Sequence, residues 1–351
     1  MAIIGKEKAI TGLAIVAAVA VVLIIAGVGH PIQPYYSYAQ PATPFKVVFV
    51  TDAKFNDGGW GAVGFNATQA MKSKFGVALT SADSIAIPDI ESTLTGYADA
   101  GANLIIAQGF QWGDPVVKVA PTYPDIKFVV MTGLVNAPNV ASIYPMQQQG
   151  SFLLGALAAM MSKTGTIGFV GGETYPNIIN IAEGYKQGAK AINPNIKVVS
   201  TYLHDFNNPA KGKEAALAQI NSGADFLLHV ADTSGHGVIE AAAEKGVYAF
   251  GAVADQNKLA PNTVLSSFVI DMDKAYDQAY KSVKAGTFVG KLTKPGLETG
   301  KGGLGDGIVY LAAFHSLDNK VPANVKAKLA QLTQDVISGK IQVPERTTPT
   351  A

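Results

Sequence analysis

The sequence repeats itself in outline after about 120 residues. The segment 46–52 (KVVFVTD) recurs in pattern as 166–172 (TIGFVGG), and 101–106 (GANLII) is echoed by 223–228 (GADFLL). Two similar halves joined by their own chain enclose a cleft, and a cleft between domains is a common place for a small ligand. The repeat therefore predicts a binding protein built from two α/β halves.

The composition excludes several classes of function. The formal net charge is only +1, whereas binding to nucleic acid needs a concentrated basic surface, so we expect no nucleic-acid partner. The chain has no cysteine, which excludes disulfides, thiolate metal sites and cysteine nucleophiles. Arg346 is the single arginine, so we expect no bidentate arginine clamp on a phosphate or carboxylate in the core.

The segment 9–28 (AITGLAIVAAVAVVLIIAGV) carries no charge and predicts a transmembrane helix. Twenty helical residues reach about 30 Å, the hydrocarbon thickness of a bilayer. Lys6 and Lys8 precede it, so residues 1–8 should stay in the cytoplasm and the rest of the chain should lie outside. Three alternatives stay open: a buried core helix, a cleaved signal peptide, and a pilin-type signal that leaves the helix on the mature protein.

Residues 29–44 are rich in proline and tyrosine and show no apolar periodicity. They predict an extended spacer between the membrane and a globular part.

From residue 45 onward, short β-branched runs alternate with helical stretches, the pattern of an α/β fold with parallel sheets covered on both faces. The predicted strands are 46–51, 103–108, 127–132, 166–170, 196–202, 225–231, 247–252 and 263–270. The predicted helices are 60–75, a helix near 90–100, 113–121, 149–162, 178–192, 209–222, 235–245, 272–286 and 322–338.

In open parallel sheets a ligand binds beyond the carboxyl ends of the strands, so the residues that follow each strand are the candidates for the site. In the first half these are Asp52, Phe55, Asn56, Asp57, Trp60, Phe110, Trp112, Asp114 and Thr132. In the second half they are Glu173, Tyr175, Phe206, Asn207, Asp232, Thr233, Val253 and Asp255. Aromatic faces combined with hydrogen-bond acceptors suit a flat, polar, uncharged ligand such as a nucleobase or sugar. For any single residue, a turn cap or a core aromatic is the structural alternative.

Signals for catalysis are weak. No pair of histidines has the spacing of a helical zinc site, and neither a GxSxG elbow nor a GxxxxGK[ST] loop occurs. The segment 233–237 (TSGHG) follows a strand and opens a helix, but it lacks a nearby cation for a phosphate. We therefore predict a protein that is not an enzyme and that uses neither a cofactor nor a metal.

Five ordered motifs resemble the basic membrane protein family of ABC transporter solute-binding proteins, which includes the purine nucleoside receptors. They are 51–57 (TDAKFND), 149–155 (QGSFLLG), 161–172 (MSKTGTIGFVGG), 206–213 (FNNPAKGK) and 255–256 (DQ). The resemblance runs from about residue 45 to about 344.

This resemblance implies the type I periplasmic binding protein fold, with two doubly wound lobes and three crossovers that form a hinge. The N-terminal lobe would comprise 45–147 plus about 270–290, and the C-terminal lobe 148–269 plus about 291–345. It also implies that Phe55 and Phe206 hold a base from opposite lobes, with Asn56 and Asp52 at the edge of the cleft.

Three positions depart from the family pattern. Thr132 stands where the family usually has an aspartate that contacts the purine edge, and Val253 where it has a ribose-contacting carboxylate. A family lysine near the returning crossover corresponds to Ile270. Because ribose hydroxyls would lose polar partners, these departures predict a changed ligand, such as a flat molecule with fewer hydroxyls.

The predicted function is that of a membrane-anchored extracellular receptor of an ABC importer, which delivers a nucleoside-like solute, with a purine nucleoside as the first expectation. Its partners would be a membrane permease and a cytoplasmic ATPase. A membrane-tethered sensor and a nucleoside-processing enzyme are the alternatives. The predicted ligand-binding residues are Asp52, Phe55, Asn56, Asp57, Trp60, Phe110, Thr132, Phe206, Asp232, Val253 and Asp255.

Overall fold

A computed structural model describes residues 44–297 and 307–350. The predicted n-region at 1–8, the apolar segment at 9–28 and nearly all of the spacer at 29–44 lie outside this described part. Among the helices of the described residues, none combines the length and apolar character needed to cross a bilayer.

The first lobe is built on a six-stranded, fully parallel sheet. Its strands are β1 (Lys46–Thr51), β2 (Ala78–Ala82), β3 (Leu104–Gln108), β4 (Lys127–Met131), β5 (Val140–Ile143) and β11 (Leu292–Thr293). They lie in the order β11-β5-β4-β3-β1-β2. The order reverses beside β1, which is the point where ligands bind in doubly wound sheets.

The second lobe repeats this arrangement. Its strands are β6 (Thr166–Gly171), β7 (Lys197–Tyr202), β8 (Phe226–Val230), β9 (Tyr248–Val253), β10 (Val264–Ile270) and β12 (Val309–Leu311), in the order β12-β10-β9-β8-β6-β7. The edge strand β12 runs antiparallel to β10, so this sheet is not purely parallel as predicted. The chain reaches β12 from the other lobe and enters the sheet from the opposite end.

Nine α-helices of the described residues cover the two sheets. They are α1 (Trp60–Phe75), α2 (Ile90–Asp99), α3 (Gly113–Val119), α4 (Gln147–Met161), α5 (Pro176–Ile192), α6 (Pro209–Asn221), α7 (Asp232–Lys245), α8 (Met272–Lys284) and α9 (Ala323–Ile337). The two parallel-sheet α/β lobes predicted from the sequence are therefore present.

The degree of burial explains which strands could be predicted from the sequence. In β1, every residue after Lys46 is buried, and β3 is buried throughout, so both read as continuous apolar runs. By contrast, β2 is a half-buried edge strand with the sequence ALTSA, and it was not predicted. The short strands β5, β11 and β12 were missed as well.

Three crossovers join the lobes. The chain leaves β5 for α4, which packs against α5 of the second lobe, and it returns from β10 into α8, which packs against α1 of the first lobe. An ion pair between Lys74 and Asp277 ties α8 to α1. Leu292–Thr293, placed in the second lobe by the sequence analysis, pairs with β5 of the first sheet, and the third crossover follows it.

Helices α4 and α5 pack with their backbones in close approach. A Cβ atom added at Gly155 would lie 2.0 Å from the carbonyl oxygen of Tyr185, and one added at Gly188 would lie 1.8 Å from that of Phe152. Both distances are far below any real contact. Glycine is therefore required at both positions for the two helices to lie together.

Candidate ligand-binding cleft

The carboxyl ends of both sheets face one cavity between the lobes. The cavity has a water-accessible volume of about 80 Å³, which is room for several water molecules or a small part of a ligand. The lining residues are Asp52, Trp60, Gly109, Phe110, Gln111, Thr132, Gln147, Tyr175, Asn177, Ile178, Phe206, Asn207, Val230, Asp232 and Val253.

Four aromatic side chains wall the cavity, two from each lobe. The rings of Phe110 and Tyr175 meet across the cleft with centroids 6.1 Å apart, and Tyr175 lies 6.2 Å from Phe206. Phe206 packs over Gly172, where an added Cβ would lie 2.2 Å from its ring. Trp60, at the start of α1, is the fourth aromatic residue that lines the cavity. Such a wall favours a ligand with a flat apolar face.

A chain of hydrogen bonds positions Trp60. The side-chain amide of Gln108 donates to the backbone oxygen of Trp60 over 2.6 Å, and the buried hydroxyl of Tyr276 donates in turn to Oε1 of Gln108. Since Tyr276 lies on α8, a helix that returns from the other lobe, the crossover segment supports the wall of the cavity directly.

The buried carboxylate of Asp57 fixes the first turn of α1. It accepts backbone N–H groups from Gly59 at 2.8 Å, Gly61 at 2.7 Å and Ala62 at 3.0 Å. These are groups that a helix start leaves without intrahelical partners. Asp57 thus orients α1 and Trp60 without lining the cavity.

Replacing Asp57 by alanine should lower the free energy of unfolding by about 1–2 kcal/mol, because three buried N–H groups lose their acceptor. Asp57→Asn retains one acceptor oxygen and should cost less. Thermal and urea unfolding of the two variants check this order. Equal stability of Asp57→Ala and the unmodified protein would contradict the capping role.

Two carboxylates face the cavity, Asp52 from the first lobe and Asp232 from the second. Burial raises the pKa of the Asp52 carboxyl, although hydrogen bonds from its own backbone, Trp112 and Gln111 oppose the rise. Burial also raises the pKa of Asp232 well above its usual range, and the neighbouring carboxylates of Asp57 and Asp52 raise it further. Among the described residues that line the cavity, none is lysine, arginine or histidine.

The backbone is strained at three lining positions. Thr132 follows β4, Asp232 lies two residues after β8 and Val253 is the last residue of β9, and their φ values are 62°, 45° and 68°. Positive φ is unfavourable for β-branched residues such as Thr132 and Val253, and such strain concentrates at functional sites. The strained residues therefore coincide with the strand ends that line the cavity.

Gln256 joins the two lobes across the mouth of the cleft. Its side-chain amide donates to the backbone oxygen of Gly58 over 3.3 Å, and its Oε1 accepts from the backbone N–H of Ala252 at 3.1 Å.

His229 supports the side chain of Gln256. Burial, together with nearby His236, lowers the pKa of His229 to about 4, so its imidazole is neutral at pH 7. Nε2 of His229 lies 2.9 Å from Oε1 of Gln256, which suits an N–H donor. The lobes are closed in this structure.

The structure brings seven of the eleven predicted ligand-binding residues together at the cavity. These are Asp52, Trp60, Phe110, Thr132, Phe206, Asp232 and Val253.

The other four lie elsewhere. Phe55 stacks on Phe65 with ring centroids 4.2 Å apart and packs against the core, so it does not form a pair with Phe206 around the cavity. Asn56 is exposed, and Asp57 caps α1. Asp255 accepts a hydrogen bond from its own loop and lies 2.6 Å from Nε2 of His315 at the surface.

The sequence analysis did not select several lining residues, among them Gln111, Gln147, Asn177 and Ile178. Gln147 opens α4, and Asn177 and Ile178 lie in the first turn of α5. A search of the first turn of each helix, in addition to the strand ends, would have found these three. Ile270, singled out as a departure from the family, is buried in β10 and is not among the lining residues.

The described residues contain no group of three or more histidine, aspartate or glutamate side chains able to hold a metal ion. The chemistry of the cleft is that of a binding site with aromatic faces, side-chain amides and two carboxylates.

A family model described as Bmp, ABC transporter substrate-binding protein PnrA-like, matches residues 45–347. The chain belongs to this family. Basic membrane protein A of Borreliella afzelii is 31% identical over 307 residues, which are 85% of this chain and 91% of that protein. The resemblance stated from five short motifs is thereby confirmed over the whole two-lobed part of this Bmp-family chain.

Two further relatives fit this family. A purine-binding protein of Brucella abortus is 31% identical over 246 residues, which are 70% of this chain and 66% of that protein. An ABC transporter solute-binding protein from Aeropyrum pernix K1 has a TM-score of 0.77 at 24% identity, covering 86% of this chain and 94% of that one. The structural likeness supports the two-lobed fold of the Bmp family.

Proposed function

We propose that this protein is the extracellular receptor of an ABC importer for a nucleoside-like solute, held at the cell membrane by residues 9–28. The observation that carries the proposal is the cavity between the lobes, walled by Trp60, Phe110, Tyr175 and Phe206. Aromatic walls from both lobes suit a heterocyclic ring better than a sugar alone. A permease and a cytoplasmic ATPase would be the partners.

Polar groups around the wall support a nucleoside-like ligand rather than a purely apolar one. The side-chain amides of Gln111, Gln147 and Asn177 border the cavity, and Oδ1 of Asn177 is buried without a hydrogen-bond partner. An amide oxygen in that state can accept from an N–H or hydroxyl group of a ligand. The purine-binding relative from Brucella abortus favours a purine as the first ring to test.

Closure around the ligand would provide the signal to the transporter. Gln256 and Gly58 touch only when the lobes approach, so a ligand that contacts both aromatic pairs would favour the same closed state. The α8 crossover would couple this closure to Trp60 through Gln108 and Tyr276.

The proposal is tested by thermal unfolding of the full chain in detergent with adenosine, guanosine, inosine, uridine and free bases. A ligand present at 100 times its dissociation constant should add about 2.7 kcal/mol to the free energy of unfolding. Glucose and ribose serve as controls for non-specific stabilisation. If sugars stabilise the protein and no nucleoside or base does, the nucleoside assignment is wrong.

A further inference from the structure

The charge of the cavity is unbalanced. It contains the carboxylates of Asp52 and Asp232, and the described lining residues supply no cationic side chain to offset them. Lys54, the lysine nearest in sequence to Asp52, is exposed and is not part of the lining. The charge in the cavity is therefore negative whenever both carboxylates are ionised.

Of the two carboxylates, Asp232 receives fewer hydrogen bonds from the protein. Asp52 receives a hydrogen bond from Nε1 of Trp112 at 3.4 Å, whereas no described side chain or backbone group donates to the carboxylate of Asp232. Oδ1 of Asp232 reaches across the cleft, 4.0 Å from the position that a Cβ on Gly59 would occupy. It is therefore available to a ligand in the closed state.

The groups that face Asp232 from the first lobe are also acidic. Asp52 and Asp57 face it from the first lobe, and both raise its pKa. Tyr175 stands on the same side of the cleft and adds no positive charge. On the same helix, His236 lies against Gly58, with Nε2 3.3 Å from the position of an added Cβ there.

An uncharged ligand could donate hydroxyl or N–H groups to the two carboxylates, but it would leave their negative charge unbalanced inside the cavity, which is unfavourable. A cationic ring would offset the charge, and the faces of Trp60, Phe110, Tyr175 and Phe206 would attract it through their quadrupoles. Aromatic faces together with unpaired carboxylates are the combination that recognises organic cations.

We propose that the preferred ligand is a flat heteroaromatic cation, such as an N-alkylated nucleoside, whose ring charge is balanced by Asp232 and Asp52. This inference names the ligand class of the site described under Proposed function and rests on that function. It departs from the uncharged ligand that the sequence alone suggested.

Two matched pairs of ligands test the inference by isothermal titration of the full chain at pH 7. The first is 1-methyladenosine, which is cationic at this pH, and its uncharged isomer N6-methyladenosine. The second is 1-methylnicotinamide, a permanent cation without ribose, and uncharged nicotinamide. We expect the cationic member of each pair to bind at least tenfold more tightly.

The variant Asp232→Asn should remove most of this preference, so that the cation binds less than threefold more tightly than its partner. Asparagine tolerates the positive φ of this position, which favours an intact fold. Asp255→Asn is the matched control, because Asp255 is also a carboxylate after a second-lobe strand but lies outside the cavity. It should leave the preference unchanged.

The preference should also fall as the pH is lowered toward the raised pKa of Asp232, because protonation removes the charge that the cation needs. The permanent cation 1-methylnicotinamide isolates this effect from titration of the ligand.

The outcomes separate this inference from the proposed function. If N6-methyladenosine binds as tightly as 1-methyladenosine, the cation inference is wrong and nucleoside binding stands. If 1-methylnicotinamide binds and no nucleoside does, the cation inference stands and the nucleoside assignment is wrong. If none of the four ligands binds, the cation inference is wrong, and the thermal screen with unmodified nucleosides and bases decides the proposed function. These comparisons use the unmodified protein and do not depend on any variant folding.

Discussion

Replacing Phe206 by alanine is expected to weaken ligand binding by about tenfold to a hundredfold, since stacking of a ring on one aromatic side chain contributes about 1–3 kcal/mol. Phe206 lines the cavity beside Tyr175 and packs over Gly172. Its loss removes one face of the aromatic wall and also leaves space beside the glycine. The measurement is the dissociation constant of the best ligand from the thermal screen, by isothermal titration.

Phe55→Ala is the matched comparison, because the family resemblance implies the same stacking role for this phenylalanine. In the structure it stacks on Phe65 and lies 5.9 Å from the ring of Phe49, away from the cavity. The substitution should change the ligand affinity by less than about twofold. It should lower the free energy of unfolding by about 2–3 kcal/mol, less than for a fully buried phenylalanine because Phe55 is half-buried.

The two variants together decide between two views of the site. If Phe55→Ala weakens binding as strongly as Phe206→Ala, the ring of Phe55 reaches the ligand in the bound state and the sandwich predicted from the family holds. If only Phe206→Ala weakens binding, the wall seen in the structure is the binding surface.

The two-lobed α/β architecture could be predicted because each buried strand leaves a pattern in its own short stretch of sequence. Strands such as β1 and β3 are buried on both faces, so burial leaves a continuous apolar run in the sequence. The edge strand β2 is held by pairing with β1 rather than by burial, and its sequence carries little signal. The pairing of β11 with β5 joins segments about 150 residues apart, and no local pattern encodes it.

The site could be predicted in position but not in side-chain direction. The rule that ligands lie beyond strand ends selected residues such as Asp52, Thr132 and Asp232, which line the cavity. It could not distinguish a side chain that faces the cleft from one that turns back to the protein. Asp57 turns back to cap α1, and Phe55 turns into the core.

Closure of the cleft depends on interactions that arise only in the folded protein. Gln256 was part of a family motif in the sequence, but its bond to Gly58 requires the two lobes to meet. The positive φ of Gly58, 64°, places its carbonyl oxygen in a turn that most residues avoid. The helices α4 and α8, which follow two of the crossovers, must therefore bring the lobes to a defined distance, so their packing affects whether this contact can form.

The packing of α4 on α5 gives the second large expected effect. Gly188→Ala should lower the free energy of unfolding by about 3 kcal/mol, at the upper end for an overpacked core, because the added methyl group would meet the backbone oxygen of Phe152. A backbone carbonyl within a helix cannot rotate aside as a side chain can. The midpoint of thermal unfolding should fall by roughly 5–10 °C.

Gly96→Ala provides the control for the same chemical change. Gly96 lies on the exposed face of α2, and an added Cβ would meet nothing within 4 Å. Alanine is the better helix former, so this variant should gain about 0.5–1 kcal/mol in stability. Opposite shifts of the two variants in urea and thermal unfolding would assign the loss to the contact between the helices. A Gly188→Ala protein as stable as the unmodified one would show that α4 and α5 can move apart without loss of stability. The close approach of their backbones would then not contribute to the stability of the second lobe.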